Sequence, residues 1–229
     1  MKNKKAFTLT ELLMAMVIVG TVAALTIPVI VKEINKEMYT TKLRGLISSV
    51  EYAIIDQMSE GKTKDLSLTA FGDAGTLFSS AKFDTAKVCN ETNVAQCWNT
   101  TSKYRGLSDS ATADWVPGVA FAKLKNGIML GAENVSEDDL KVIYEGTPRE
   151  DAAIIKICAD LNGVEAPNIA GRDAFCFYIT RKGHIVSRQD FNNINTKAVA
   201  QTLCKGQSVL LATYNCFDYL MQNNWNMDY

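Results

Sequence analysis

The chain has 229 residues, 47% of them apolar, with six cysteines, one histidine and a formal net charge of −1. That is apolar material for one packed domain, and without a basic excess it does not describe a general nucleic-acid binder. One histidine and no Cys-x-x-Cys argue against a zinc set, and the motifs of phosphate cradles and acyl-transfer nucleophiles are missing.

From the N-terminus, Lys2, Lys4 and Lys5 precede a run from Leu12 to Val31 that contains no charged residue. About twenty residues of helix span roughly 30 Å, the thickness of a bilayer's hydrocarbon core. The lysines place the N-terminus on the cytoplasmic side by the positive-inside rule. Glu11 stands at the mouth of this run. A carboxylate there is costly unless something pairs with it, which makes it a functional candidate. A secretory signal peptide has a shorter apolar core with a small-residue cleavage site after it, and a plain signal anchor has no use for the acid.

The stretch Lys5-Ala6-Phe7-Thr8-Leu9-Thr10-Glu11-Leu12-Leu13 resembles the processing site of type IV prepilins and type II secretion pseudopilins. The resemblance implies cleavage between Ala6 and Phe7, N-methylation of Phe7, and retention of Glu11 within the membrane for assembly. Pro28 falls where the family helix carries a kinking proline. Ala6 departs from the glycine usual before the cut. Implied partners are other pilin or pseudopilin subunits, the prepilin peptidase/methyltransferase, an inner-membrane assembly platform and the lipid bilayer. The implied location is the inner membrane, with a cytoplasmic N-terminus, an extracytoplasmic head, and the filament after assembly.

Beyond Val31 the pattern turns amphipathic. Leu43, Ile47, Val50, Ile54 and Met58 recur at steps of three and four on one helical face, and Gly61 offers a stop. One helix from Phe7 to about Glu60, bent near Pro28, is expected. Residues 61 to about 116 read as irregular, with short helical pieces around Leu77–Phe83, and the N-x-T triplets at Asn90 and Asn99 as chance surface loop. Two hairpins follow: Val119–Leu124 with Ile128–Leu130 around Lys125-Asn126-Gly127, and Ala174–Thr180 with His184–Ser187 around Arg181-Lys182-Gly183. Ala152–Ala159 is a further strand. In Ala174–Thr180, Phe175, Phe177 and Ile179 alternate with Cys176, Tyr178 and Thr180, predicting one buried face. Asp138-Asp139 reads as a helix start or solvated turn. The tail from Asp190 is helical in pattern, with Leu210, Tyr214, Phe217 and Met221 on one face, and ends in a polar, aromatic heptad that suits packing.

The six cysteines all follow the apolar run, as suits an oxidising compartment. Fifteen pairings are open; proximity suggests Cys89–Cys97, Cys158–Cys176 and Cys204–Cys216. Between two strands, Asp160, Asn162 and Asp173 could offer oxygen ligands to Ca²⁺, although the same residues make side-chain-to-backbone turns and the favoured reading is structural, with no cofactor.

The expected fold is therefore α+β and pilin-like: a long N-terminal helix, transmembrane in its first half, on an antiparallel sheet of four or five strands, with C-terminal helices. Its parts are a leader (1–6), a membrane and assembly helix (7–31), the amphipathic half of that helix (32–60) and a disulfide-containing head (61–229). The expected function is that of a non-catalytic subunit of a type IV pilus or type II secretion pseudopilus. The alternatives are an adhesin-like, calcium- or glycan-binding head on a pilin-type stalk, and a DNA-uptake minor pilin.

Overall fold

The structure is a computed structural model and describes residues 8–108, 112–136, 151–188, 196–206 and 208–229, with the side chain of Leu210 excepted. The expectations for Ala6, Phe7, Asp138 and Asp139 lie outside them. The chain divides into two compact units, Met1–Met38 and Tyr39–Tyr229.

Helix α1 (Leu9–Glu60) begins in the first unit and ends in the second. In the first unit its large side chains from Leu9 to Ile34 are exposed on every side, so no stripe faces a core of its own. Its hydroxyls are satisfied within the helix: Thr21 Oγ1 donates to Ile18 O and Thr26 Oγ1 to Val22 O, each at 2.9 Å. That is the economy a segment needs where water is absent. The helix is long and apolar enough to cross a membrane, and it runs through Pro28.

In the second unit the stripe that the periodicity predicts is buried. Leu43, Leu46, Ile47, Val50, Ala53 and Ile54 are at most 7% exposed and join one hydrophobic core with the sheet. Gly61 is not the left-handed residue at the helix end; Lys62 is, at φ 47°. Its neighbour Thr63 donates from N to Met58 O at 3.1 Å, closing the last turn.

The strands are β1 (Thr85–Asn90), β2 (Tyr104–Arg105), β3 (Thr112–Ala113), β4 (Ala120–Leu124), β5 (Met129–Asn134), β6 (Ala153–Asp160), β7 (Ala174–Thr180) and β8 (Ile185–Val186). Six of them form an antiparallel sheet in the order β1-β4-β5-β6-β7-β8, while β2 and β3 pair separately. Among the described residues the sheet has six strands because β1 joins it from the segment expected to be irregular; helix α2 (Ala74–Ser80) accounts for the expected helical piece. Asn99 is buried, not on a surface loop: its Oδ1 accepts from Thr101 N and Ser102 N. The first expected hairpin is β4–β5, turning at Gly127 (φ 89°) with Ala120 opposite Ala132.

Strand β7 is buried on both faces, beyond the single face expected. The cause is the C-terminal helical pair α3 (Lys197–Gly206) and α4 (Val209–Gln222). From α4, Phe217 stacks on Phe177 at 5.3 Å and Tyr214 on Tyr178 at 5.6 Å, so neighbours on opposite faces of β7 are both covered.

Candidate functional site

Three features carry the residues singled out by sequence: the disulfides, the Asp160–Asp173 loop and the start of α1. The structure joins Cys89 to Cys97, Cys158 to Cys176 and Cys204 to Cys216, the pairs that proximity suggests. The first ties β1 to the turn after it. The second links residues directly opposite in β6 and β7, and the third closes the α3–α4 hairpin.

The β6–β7 connection brings Asp160, Asn162 and Asp173 into one buried network. Asp160 Oδ1 accepts from Asn162 N (3.2 Å) and Gly163 N (2.9 Å), and Oδ2 accepts from the Tyr104 hydroxyl at 2.5 Å. Asp173 Oδ1 accepts from Ile169 N at 2.7 Å. Asn162 Nδ2 donates to the carbonyls of Glu165 (2.6 Å) and Pro167 (3.2 Å). Gly163 and Gly171 take the positive φ the turns require, 67° and 83°. Other elements converge on the loop: Lys42 Nζ of α1 donates to Leu161 O at 3.0 Å, and the Tyr229 hydroxyl to Gly171 O at 2.6 Å. Sequence reasoning found the turn chemistry but not Tyr104, whose partner lies far along the chain.

Both carboxyls are fully buried. Desolvation pushes Asp160 up to about 6, against the hydrogen bonds from Tyr104, Gly163 and Asn162 that lower it. Desolvation, followed by the charge of Asp160, pushes Asp173 up to about 8. Asp173 Oδ2 and Asn162 Oδ1 accept no hydrogen bond, yet Lys42 and Arg172 already supply positive charge beside the pair. Among the described residues no group of three His, Cys, Asp or Glu side chains is placed to hold a metal ion. The donor set fits a capped turn better than a calcium cage, which takes six to eight oxygens.

At the start of α1, Glu11 is exposed and folds back on Thr8. Its Oε2 accepts from Thr8 N and from Thr8 Oγ1, each at 2.8 Å, while Thr8 Oγ1 accepts from Glu11 N at 3.2 Å. This is a capping box, Thr at the N-cap and Glu three residues on, satisfying donors that the helix leaves open. The Thr8-Leu9-Thr10-Glu11 spacing announced it, and sequence reasoning passed over it in favour of the membrane acid. Residues 1–27 match the family model described as the prokaryotic N-terminal methylation motif.

The chain carries the type IV prepilin and pseudopilin signature.

Neither a curated protein nor a solved structure gives a significant match. The prepilin motif therefore rests on residues 1–27. It implies processing and assembly with other pilin subunits, and with the apolar helix it fits a membrane-anchored pilin. It points to a structural subunit.

Proposed function

We propose that this protein is a non-catalytic filament subunit of a type IV pilus or a type II secretion pseudopilus. In this reading the prepilin inserts with its N-terminus in the cytoplasm and its disulfide-bonded head across the membrane. The peptidase cuts between Ala6 and Phe7, Phe7 is N-methylated, and the mature chain passes through the inner-membrane assembly platform into a filament. The observation that carries the reading is the conjunction of the matched motif with a helix apolar on all sides that continues into a folded head. The head requires no calcium in this reading, because Asp160 is engaged by its own turn and by Tyr104.

Glu11 is the assembling acid. Once the leader is gone, Phe7 presents a cationic amine near the edge of the apolar layer, and Glu11 of an incoming subunit pairs with the Phe7 amine of its neighbour. In low dielectric such a pair is far stronger than in water. The test is cysteine or photo-crosslinking of Glu11→Ala to neighbouring subunits in membranes. The mutant head should fold and insert while incorporation falls sharply; incorporation equal to wild type would remove charge pairing from the account.

A further inference from the structure

A groove of about 290 Å³ opens on the head between α1, the β7–β8 turn and the end of α4. Its apolar floor comes from Ile47 and the fully buried Phe217, with Ile185 on one side. Two features of its rim are unusual.

The first is a strained aromatic. After α4 the chain turns through Asn224 at φ 50°, an ordinary left-handed cap for an asparagine. Trp225 then also takes a left-handed conformation, φ 62°, which a bulky side chain seldom adopts. Its N bonds Leu220 O at 2.8 Å, and its indole stands edge-on to Phe217 with centroids 6.1 Å apart. Backbone strain of this kind gathers where a side chain must be held in place for a purpose. Here it holds the indole, beside the exposed thioether of Met221, at the lip of the groove.

The second is Glu51, an exposed carboxylate of α1 that makes no hydrogen bond or ion pair among the described residues. The other ionisable group lining the groove, His184, has its Nδ1 engaged with Asp151 Oδ2 at 2.6 Å. Arg181, in the same turn, has its Nε 3.6 Å from Asp65 Oδ1 on the other side.

An unpaired carboxylate, an indole and a thioether around an apolar slot complement a cation carried on an apolar stem. The stem's methylenes pack on Ile185 and Met221, and the charged head meets Glu51 and the indole face. We propose that this groove docks an Arg or Lys side chain of a partner polypeptide. The proposal is independent of how the N-terminus is processed, and it gives the head a contact of its own besides the helix.

The experiment uses the full-length protein in neutral detergent, labelled with ¹⁵N, and follows the indole N–H signals of its three tryptophans. The probes are N-acetyl-arginine amide and N-acetyl-lysine amide, with N-acetyl-norleucine amide as the uncharged control. The arginine or lysine probe should shift the Trp225 signal saturably and leave the buried Trp98 and Trp115 signals in place. Norleucine should not shift it, and Glu51→Gln should raise the apparent Kd by roughly 2–5-fold, the scale of an exposed ion pair. No shift with either cation, an equal shift with norleucine, or an unchanged Kd in Glu51→Gln would overturn the proposal. So would tighter binding of phosphocholine than of arginine, which would assign the groove to a lipid headgroup.

Discussion

On the proposed mechanism Glu11 serves two purposes, which single substitutions separate. As a cap it satisfies Thr8 N; as the proposed assembling acid it supplies charge. Glutamine also completes a capping box, so Glu11→Gln keeps the cap and loses the charge. On the proposed mechanism, Glu11→Gln remains impaired in crosslinking although its helix starts as in wild type, and near-normal incorporation would show that the cap is what Glu11→Ala destroys. A second residue-scale expectation concerns pH. Unfolded, Asp160 and Asp173 titrate near 4; folded, they rise to about 6 and about 8, so between those values the native state binds more protons than the unfolded one. Their contribution to stability is therefore full below pH 4 and is lost as pH climbs through 6 towards 8. Melting followed by tryptophan fluorescence should give a lower Tm at pH 8 than at pH 5, by roughly 2–4 °C per kcal/mol lost, and Asp173→Asn should flatten most of that slope. Trp115 is a suitable reporter, edge-on to Tyr104 at 4.9 Å. The curves should coincide with and without chelator; a Tm that rises with pH, or falls on chelation, contradicts the capped-turn account. Gly171 is a third case. A Cβ there would lie 2.4 Å from Cys216 Sγ at φ 83°, so Gly171→Ala should cost roughly 2–4 kcal/mol in chemical denaturation. The turn chemistry of this loop was legible in Asp160-Leu161-Asn162-Gly163, because such residues bond their own backbone. Tyr104 and the sulfur of Cys216 were not, since contacts across so much sequence leave no local pattern.

At the scale of elements, what was legible is what local periodicity controls. The apolar run, the three-and-four stripe of α1 and the Asn126-Gly127 turn each specify their structure within a few residues. Strand β1 does not. Thr85–Asn90 buries only Cys89 fully, and Lys87, Val88 and Asn90 are exposed, so no alternation marks it. It is a strand because β4 offers a partner and because the Cys89–Cys97 bond fixes its end. Replacing both cysteines by alanine should therefore loosen β1 first: its amides exchange faster while those of β5, β6 and β7 hold. Uniform acceleration across the sheet would mean that the crosslink supports the whole head. The double burial of β7 was hidden for a related reason. Its alternation predicts a two-faced strand, and only the placement of α4 shows that the second face is covered too.

At the scale of the molecule, a helix built for an apolar medium continues into a head built like a secreted domain, with three disulfides and one core. The two halves state different solvents, and a prepilin is a protein whose life needs both. The signature was legible from the residues around Glu11, while the system served was not, because the signature lies in residues 1–27 and the head falls outside it. On the proposed reading this chain is processed as a prepilin. Mass spectrometry of the N-terminal peptide of protein recovered from membranes tests it most directly. The account predicts a chain beginning at Phe7 and carrying one added methyl group; a mature chain that begins at Met1, or one cut beyond Ala24, would contradict it.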